Sequence, residues 1–505
     1  MWVACLERRT DMIRKYVGFG LVGLLTAGLV IGVAQGQSAK KYAGKTITIV
    51  TFDGPQIGEP LRRHAPEFEK LTGAKVNIVL TTFGDLFPRI LTDFQNANSF
   101  DAAVFAPQWL GDYVSGGYLE PLDNYVKAAP ELKWGEIAPF FREFSATYAG
   151  KTYMVPFDGD FQMVYYRRDL WENAGNRSAF RTKYGYALAA PKTWKEYRDM
   201  AEFFNGMTVD GKKIYGAVEA MARNAQSYWI LGSRAAAYMQ YKGTGQGIFF
   251  NTNNMNPLIN EEGFVRALTE WKDIQKFAPP NILNYGTGEV RSGFTKAGEA
   301  ALAIDWGDIG SLSADKDSVI KGKLGSTILP GSTDYWDRDA KKWVTAPRIN
   351  YAPYAAFGGW SGAVNAKSKE KQVAFDFLSF VGQPAQSDAD VTIGITGFNP
   401  YRTSHFKSRD LYVKAGMDPN DAKSYLKAIS DSLKNRNLVL DYRVPGAARY
   451  QSAMDVGVSE ALSGQKTPKA ALDGIAAEWD KITNELGRSK QLNIYRQSLK
   501  LKSLQ

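Results

Sequence analysis

Alternating polar and apolar positions first appear at Thr46–Phe52 (TITIVTF), the pattern of a half-buried strand. A helix follows over roughly Glu59–Thr72, with Pro60 near its first turn and Gly73 as its stop; Leu61, Ala65, Phe68 and Leu71 form its apolar face. Lys75–Leu80 reads as a second strand and Phe100–Phe105 as a third. Between them, Asp85–Asn96 is a helix with Leu86, Phe87, Ile90, Leu91 and Phe94 along one side. Strand–helix alternation of this kind predicts an α/β lobe with a mostly parallel sheet.

The pattern changes at Gly150–Trp171 (GKTYMVPFDGDFQMVYYRRDLW). Two aromatic-rich runs, Phe144–Tyr148 and Thr152–Pro156, flank the turn Ala149-Gly150-Lys151 and predict a hairpin. Pro156 ends the second run because it has no N–H for the ladder. Asp158-Gly159-Asp160 then makes a tight bend carrying two carboxylates, before a strand at Gln162–Tyr166 and a helix at Arg168–Trp171. Two strands around such a bend predict a crossover between two bodies, with the bend facing the gap.

Downstream, Pro191-Lys192-Thr193-Trp194 opens a helix through Phe204, with Thr193 and Glu196 spaced as a capping box. A second amphipathic helix covers about Glu261–Phe277, and Gly298–Trp306 (GEAALAIDW) reads as a strand. Gly358–Gly362 leads into a strand at Ala363–Asn365, followed by a helix at Lys369–Val381. Asp410–Gln505 is a set of helices separated by Pro419, Pro445 and Pro468.

At 505 residues the chain is long enough for two or more domains with ample core. Ahead of all these elements, Arg14-Lys15 precedes the apolar run Val17–Ala34, and Ala34-Gln35-Gly36 offers a small-residue exit. Residues 1–36 are therefore expected to be a cleaved secretory signal peptide, with Met1 or Met12 as the start; a retained membrane anchor is the alternative. The formal charge is +10, and the leader's four basic and two acidic residues leave +8 for the remainder. Lys and Arg are scattered among Asp and Glu without a basic stripe, so no nucleic-acid partner is expected. Two histidines are too few for a His-based metal site, and the only cysteine, Cys5, lies in the leader. No cofactor and no metal are expected.

Two motifs read as plain loops. Gly243–Gly247 (GTGQG) has no helix behind it to cradle a phosphate, and Asp334, Asp337 and Asp339 lack the spacing of a calcium loop. Asp158 and Asp160 are too close in sequence to flank a glycosidic bond, yet either can accept hydrogen bonds from sugar hydroxyls. Trp109, Trp306 and Trp360 each follow a strand-like run (AAVFAPQW, AALAIDW, AAFGGW). Residues leaving strand ends line the cleft of an α/β sheet, and a tryptophan there offers its face to a sugar ring. Asp53, Asp160 and Asp305 or Asp308 are placed likewise. Trp194, Trp271 and Trp479 fall within helices and are assigned to core.

Taken together, these segments resemble the extracellular solute-binding proteins of bacterial ABC transporters, family 1, the maltose- and oligosaccharide-binding kind. The resemblance is carried by Ala106–Asp123 (APQWLGDYVSGGYLEPLD), Val155–Gly175, Pro191–Ala201, Phe294–Trp306 and Gly358–Val381, in the family's order. It implies an α/β, two-lobed periplasmic binding protein fold of type II, closing on its ligand by hinge motion, with an extended helical C-terminal part. The expected division is residues 37–155 in lobe 1, 156–303 in lobe 2, 304–357 returning to lobe 1 and 358–505 returning to lobe 2. Carried over by position, the ligand-facing candidates are Asp53 and Trp109 on the first lobe. Asp158, Asp160, Trp306, Asp308 and Trp360 would sit near the hinge strands, with Arg402 from Gly397–Arg402 (GFNPYR) and Trp229 as further candidates. The implied function is that of a monomeric periplasmic receptor delivering a carbohydrate, expected to be an oligosaccharide or sugar derivative, to an inner-membrane ABC permease. A secreted carbohydrate-active enzyme using the same aromatics and carboxylates is one alternative, and a non-sugar solute on the same fold is another. Extra sequence around Ala174–Ala190, Tyr238–Asn256 and after Thr392 departs from compact family members, so ligand identity is not carried over.

Overall fold

A computed structural model describes residues 40–395 and 398–503. The expected signal peptide, residues 1–36, lies outside the described residues. Nine strands form the two main sheets: β1 (Thr46–Phe52), β2 (Lys75–Thr81), β3 (Ala102–Phe105), β4 (Met154–Pro156), β5 (Met163–Arg167), β6 (Tyr215–Glu219), β7 (Ala300–Asp305), β8 (Leu324–Thr327) and β9 (Ser361–Val364). The first sheet has the order β2-β1-β3-β9-β4 and the second β6-β7-β5-β8. β1 pairs in parallel with β2 and β3, as strand–helix alternation requires, whereas β9 runs antiparallel to both β3 and β4. In the second sheet β5 runs antiparallel to β7 and β8, and β6 and β7 are parallel.

Local chemistry sets the element ends. The first helix, Gly58–Thr72, buries Leu61, Ala65 and Phe68 and stops where Gly73 turns left-handed at φ 81°. Leu71, expected on the same face, is 61% exposed. Ten residues beyond Leu61, it has rotated about 80° off that stripe. Thr82 caps the helix Phe83–Gln95 by accepting from the Asp85 N–H, so the helix starts two residues earlier than expected. Thr193 caps Trp194–Phe204 in the same way, while Glu196 reaches the Lys192 N–H, one residue before the box position. The hairpin is shorter than its pattern suggested. Phe141–Ser145 coils as a π-turn, leaving Thr147–Tyr148 paired with Lys151–Thr152 around Ala149 (φ 48°) and Gly150 (φ 79°). Pro156 sits in β4 at the sheet edge, where a missing N–H does no harm.

The expected domain division differs from the sheets. Residues 304–357, expected in lobe 1, supply β8 to the second sheet; residues 358–505, expected in lobe 2, supply β9 to the first. Alternation of side chains marks a strand but carries nothing about which distant strand it will pair with. Trp194, Trp271 and Trp479 are buried, as helix-borne core residues should be. The helix Ser227–Met239 is buried along its whole length. The C-terminal helices Ala447–Leu462 and Pro468–Glu485 pack on each other, and both also pack against Glu262–Ile274.

Candidate functional site

The chain passes between the sheets at residues 157–162, linking β4 to β5, and again between β8 and β9. Asp158 and Asp160 stand on the first crossing. Phe357 and Trp360 stand on the second. Between them is a narrow cleft of about 40 Å³. The first lobe contributes Phe52, Gln56 and Ile57 from the end of β1. The second contributes Gln226, Thr287, Arg291, Trp306 and Asp308, and Asn399 comes from the C-terminal part.

The bend fits only because it is built on glycine. A Cβ on Gly159 would lie 1.9 Å from the Pro400 carbonyl oxygen, and one on Gly359 1.9 Å from that of Asp158. This close approach lets the Asn399 N–H donate to Asp158 Oδ1 at 2.5 Å and the Asn399 side-chain amide donate to Asp160 Oδ1 at 2.9 Å. Tyr425 holds Asn399 in turn, its hydroxyl donating to the amide oxygen at 3.0 Å. Two bulky lining residues take left-handed backbone, Gln226 at φ 71° and Phe357 at φ 70°. Such conformations persist where the surroundings over-determine them.

Aromatic rings form the remaining wall. Trp360 stacks on Phe52 at 5.5 Å with 7° between planes and touches Phe357 at 4.9 Å. Trp306 anchors its indole N–H on the Ala356 carbonyl, and Trp229 packs edge-on behind it at 5.8 Å. Trp229 is fixed by Asp441, a buried carboxylate that also accepts from Gln108, Tyr354 and the Phe357 N–H.

Charge in the cleft is unbalanced. Asp158, Asp160 and Asp308 line it with one guanidinium, Arg291, whose Nε donates to Asp305 behind the wall at 2.8 Å and whose Nη2 pairs with Asp308 at 2.7 Å. Burial pushes Asp158 up to about 6 and Asp305 up to about 7, the latter opposed by Arg291. Burial, with the charges of Asp158 and Asp308 beside it, pushes Asp160 well above the usual carboxylate range. Among the described residues no group of three His, Cys, Asp or Glu is arranged to hold a metal ion. The arrangement presents fixed acceptors and flat apolar faces to one small volume.

Residues 53–388 match the family model for bacterial extracellular solute-binding proteins. The chain belongs to that family. Solute-binding proteins of this kind serve ABC transporters and are binding proteins, not enzymes. The family member from Sinorhizobium fredii described as a probable amino-acid ABC transporter periplasmic-binding protein is 23% identical over 82% of this chain and 85% of that protein. The diacetylchitobiose-binding protein of Streptomyces coelicolor is 26% identical over 73% and 77%. A solute-binding protein of Agrobacterium radiobacter, solved with ribitol, superposes with a TM-score of 0.70 at 25% identity, covering 88% of this chain and all of that one. Among the described residues no helix is long and apolar enough to cross a membrane.

Of the residues singled out in the sequence of this solute-binding protein, Asp158, Asp160, Trp306, Asp308 and Trp360 come together in the cleft. Four do not line it. Asp53 follows β1 but is exposed. Trp109 turns into a neighbouring pocket of about 200 Å³ beside Phe83 and Tyr228, with its indole N–H on Gln451. Trp229 lies one layer behind. Arg402 is wholly buried and donates to the carbonyls of Leu132, Lys133 and Gly382, so its guanidinium stitches loops together. Within Gly397–Arg402 the cation drew attention, yet it is Asn399 that reaches the cleft. Arg291, Gln226 and Thr287 carried no sequence signal, because they come from short turns and helix ends with no strand exit behind them.

Proposed function

We propose that this protein is the periplasmic receptor of an ABC importer for a small polyhydroxylated solute, a monosaccharide or sugar alcohol, delivered to an inner-membrane permease by the monomer. The convergence of Trp306 and Trp360 with Asp158, Asp160 and Asp308 on one cleft carries this reading. Flat faces suit the C–H side of a sugar, and carboxylates suit its hydroxyl donors. The narrowness of the space favours a single ring or linear polyol over a longer oligosaccharide, and entry requires the lobes to part. The ribitol complex supports the same class, and the diacetylchitobiose-binding relative supports a carbohydrate more broadly. Export through the leader at residues 1–36 accords with the family's extracellular setting.

One observation favours a second reading. Three lining carboxyl groups, Asp158, Asp160 and Asp308, with a single guanidinium would also hold an ammonium group, and aromatic rings attract cations. An amine-bearing solute is therefore the alternative, in keeping with the description of the Sinorhizobium relative. A thermal-shift screen of the mature protein separates them, since a ligand that binds the folded state raises the melting temperature. Pentitols, hexitols or monosaccharides are expected to raise it by several degrees. A flat response to all of them, with a shift from lysine or a polyamine, overturns the carbohydrate reading.

A further inference from the structure

Away from the cleft is a larger cavity of about 860 Å³. Its walls are mostly apolar, with Phe140, Phe144, Leu438, Leu440, Ile494 and Leu499 among them. Arg443 lies in this wall and is only 4% exposed. Its Nη1 donates to the carbonyls of Phe144 and Thr147, while its Nε is buried with no partner. The guanidinium lies over the Phe144 ring at 4.4 Å. Asp441, two residues earlier, is engaged by Trp229, Tyr354 and Gln108. The other cation of the lining, Lys500, is paired with Glu143. Arg443 is thus a buried charge with no carboxylate at ion-pair distance, Asp441 acting on it only from further off, and burial pulls it down to about 10, which still leaves it charged at neutral pH. A buried cation of this kind is strongly favoured by any anion that reaches it.

We propose that this cavity is a second binding site, for an amphipathic monoanion: a carboxylate on Arg443 with an apolar chain along Phe144, Leu440 and Ile494. One uncompensated positive charge calls for one negative charge, and the apolar walls call for a hydrocarbon body, not a polyol. The site shares no lining residue with the cleft.

The test uses sodium decanoate below its aggregation concentration, with 1-decanol and decyltrimethylammonium as probes of equal chain and different head, titrated calorimetrically into the mature protein. Saturable binding of one decanoate is expected, at least tenfold tighter than decanol, with no binding of the cation. Arg443→Gln is expected to weaken decanoate at least tenfold and leave decanol unchanged. Ile494→Trp, which fills the cavity from a half-buried helix position, is expected to abolish both; it serves if the arginine variant fails to fold. Trp306→Phe, in the cleft, should leave decanoate binding unaltered. No saturable decanoate binding, equal binding of all three probes, or affinity indifferent to both cavity variants overturns the proposal.

Discussion

In the cleft, the one guanidinium of Arg291 is paired with both Asp305 and Asp308; in the cavity walled by Phe144 and Leu440, the guanidinium of Arg443 is bonded to backbone carbonyls and paired with no carboxylate. The two spaces also differ in room, about 40 Å³ against 860 Å³. The cleft holds more acceptors than donors and the cavity a cation with no paired anion, which suits the one to hydrogen-bond donors and the other to an anion. The narrow cleft must open to be filled, whereas the wide cavity needs no such movement. An excess of one kind of group in a closed space is thus a statement about what the space is for.

Breaking the cleft's balance outright should have the largest effect. Arg291→Met strands Asp305 and Asp308 without a cation, and loss of one partner from a buried pair costs about 3–5 kcal/mol. Urea unfolding at pH 7 should show that loss; a change under 1 kcal/mol would mean the carboxylates are already neutral. Next comes the proton balance. The Asp158 carboxyl keeps its proton to about pH 6 when folded, while the unfolded chain releases it near pH 4. In that window the folded state holds more protons than the unfolded one, so this group's contribution to stability falls as pH rises. Asp158→Asn removes the dependence. It should match the wild type at pH 4 and exceed it by roughly 2–3 kcal/mol at pH 7; a pH-independent difference would contradict the burial argument.

Smaller effects sharpen the picture of the walls. Trp306→Phe and Trp360→Phe each trim a stacking face and should weaken solute binding near tenfold, about 1.4 kcal/mol, by calorimetry. The smallest effect is expected of Asp53→Asn. Exposed and outside the lining, it should change solute affinity less than about twofold, within the scatter of surface substitutions; a tenfold loss would place the ligand beyond the cleft described here.

The first sheet's β1, β2 and β3 and the helices between them were legible because each segment carries its own period and its own stop, Gly73 being the clearest. The bend at Asp158–Asp160 was legible for a related reason: a proline, a glycine and two short acids between strands leave few other conformations. Strand partners were not legible, since β9 reveals its neighbours only through contacts with residues more than 200 positions away. Nor was the role of Arg402. Its guanidinium has the chemistry of a ligand contact, but three backbone carbonyls claim it, and no local pattern announces a carbonyl from a distant loop. Asn399 escaped notice because an amide among aromatics and a proline is ordinary turn composition.

β9 has a consequence for the order in which the molecule assembles. It alone joins β4 to β3, so the strand made around residue 155 waits, with nothing to pair with, until residue 361 has been synthesised. A half-made chain therefore lacks the joining strand of both sheets, β9 in the first and β7, which lies between β5 and β6, in the second. Each sheet is thus finished by a strand made well after the strands it joins, and the first is complete only once residue 364 of 505 is in place.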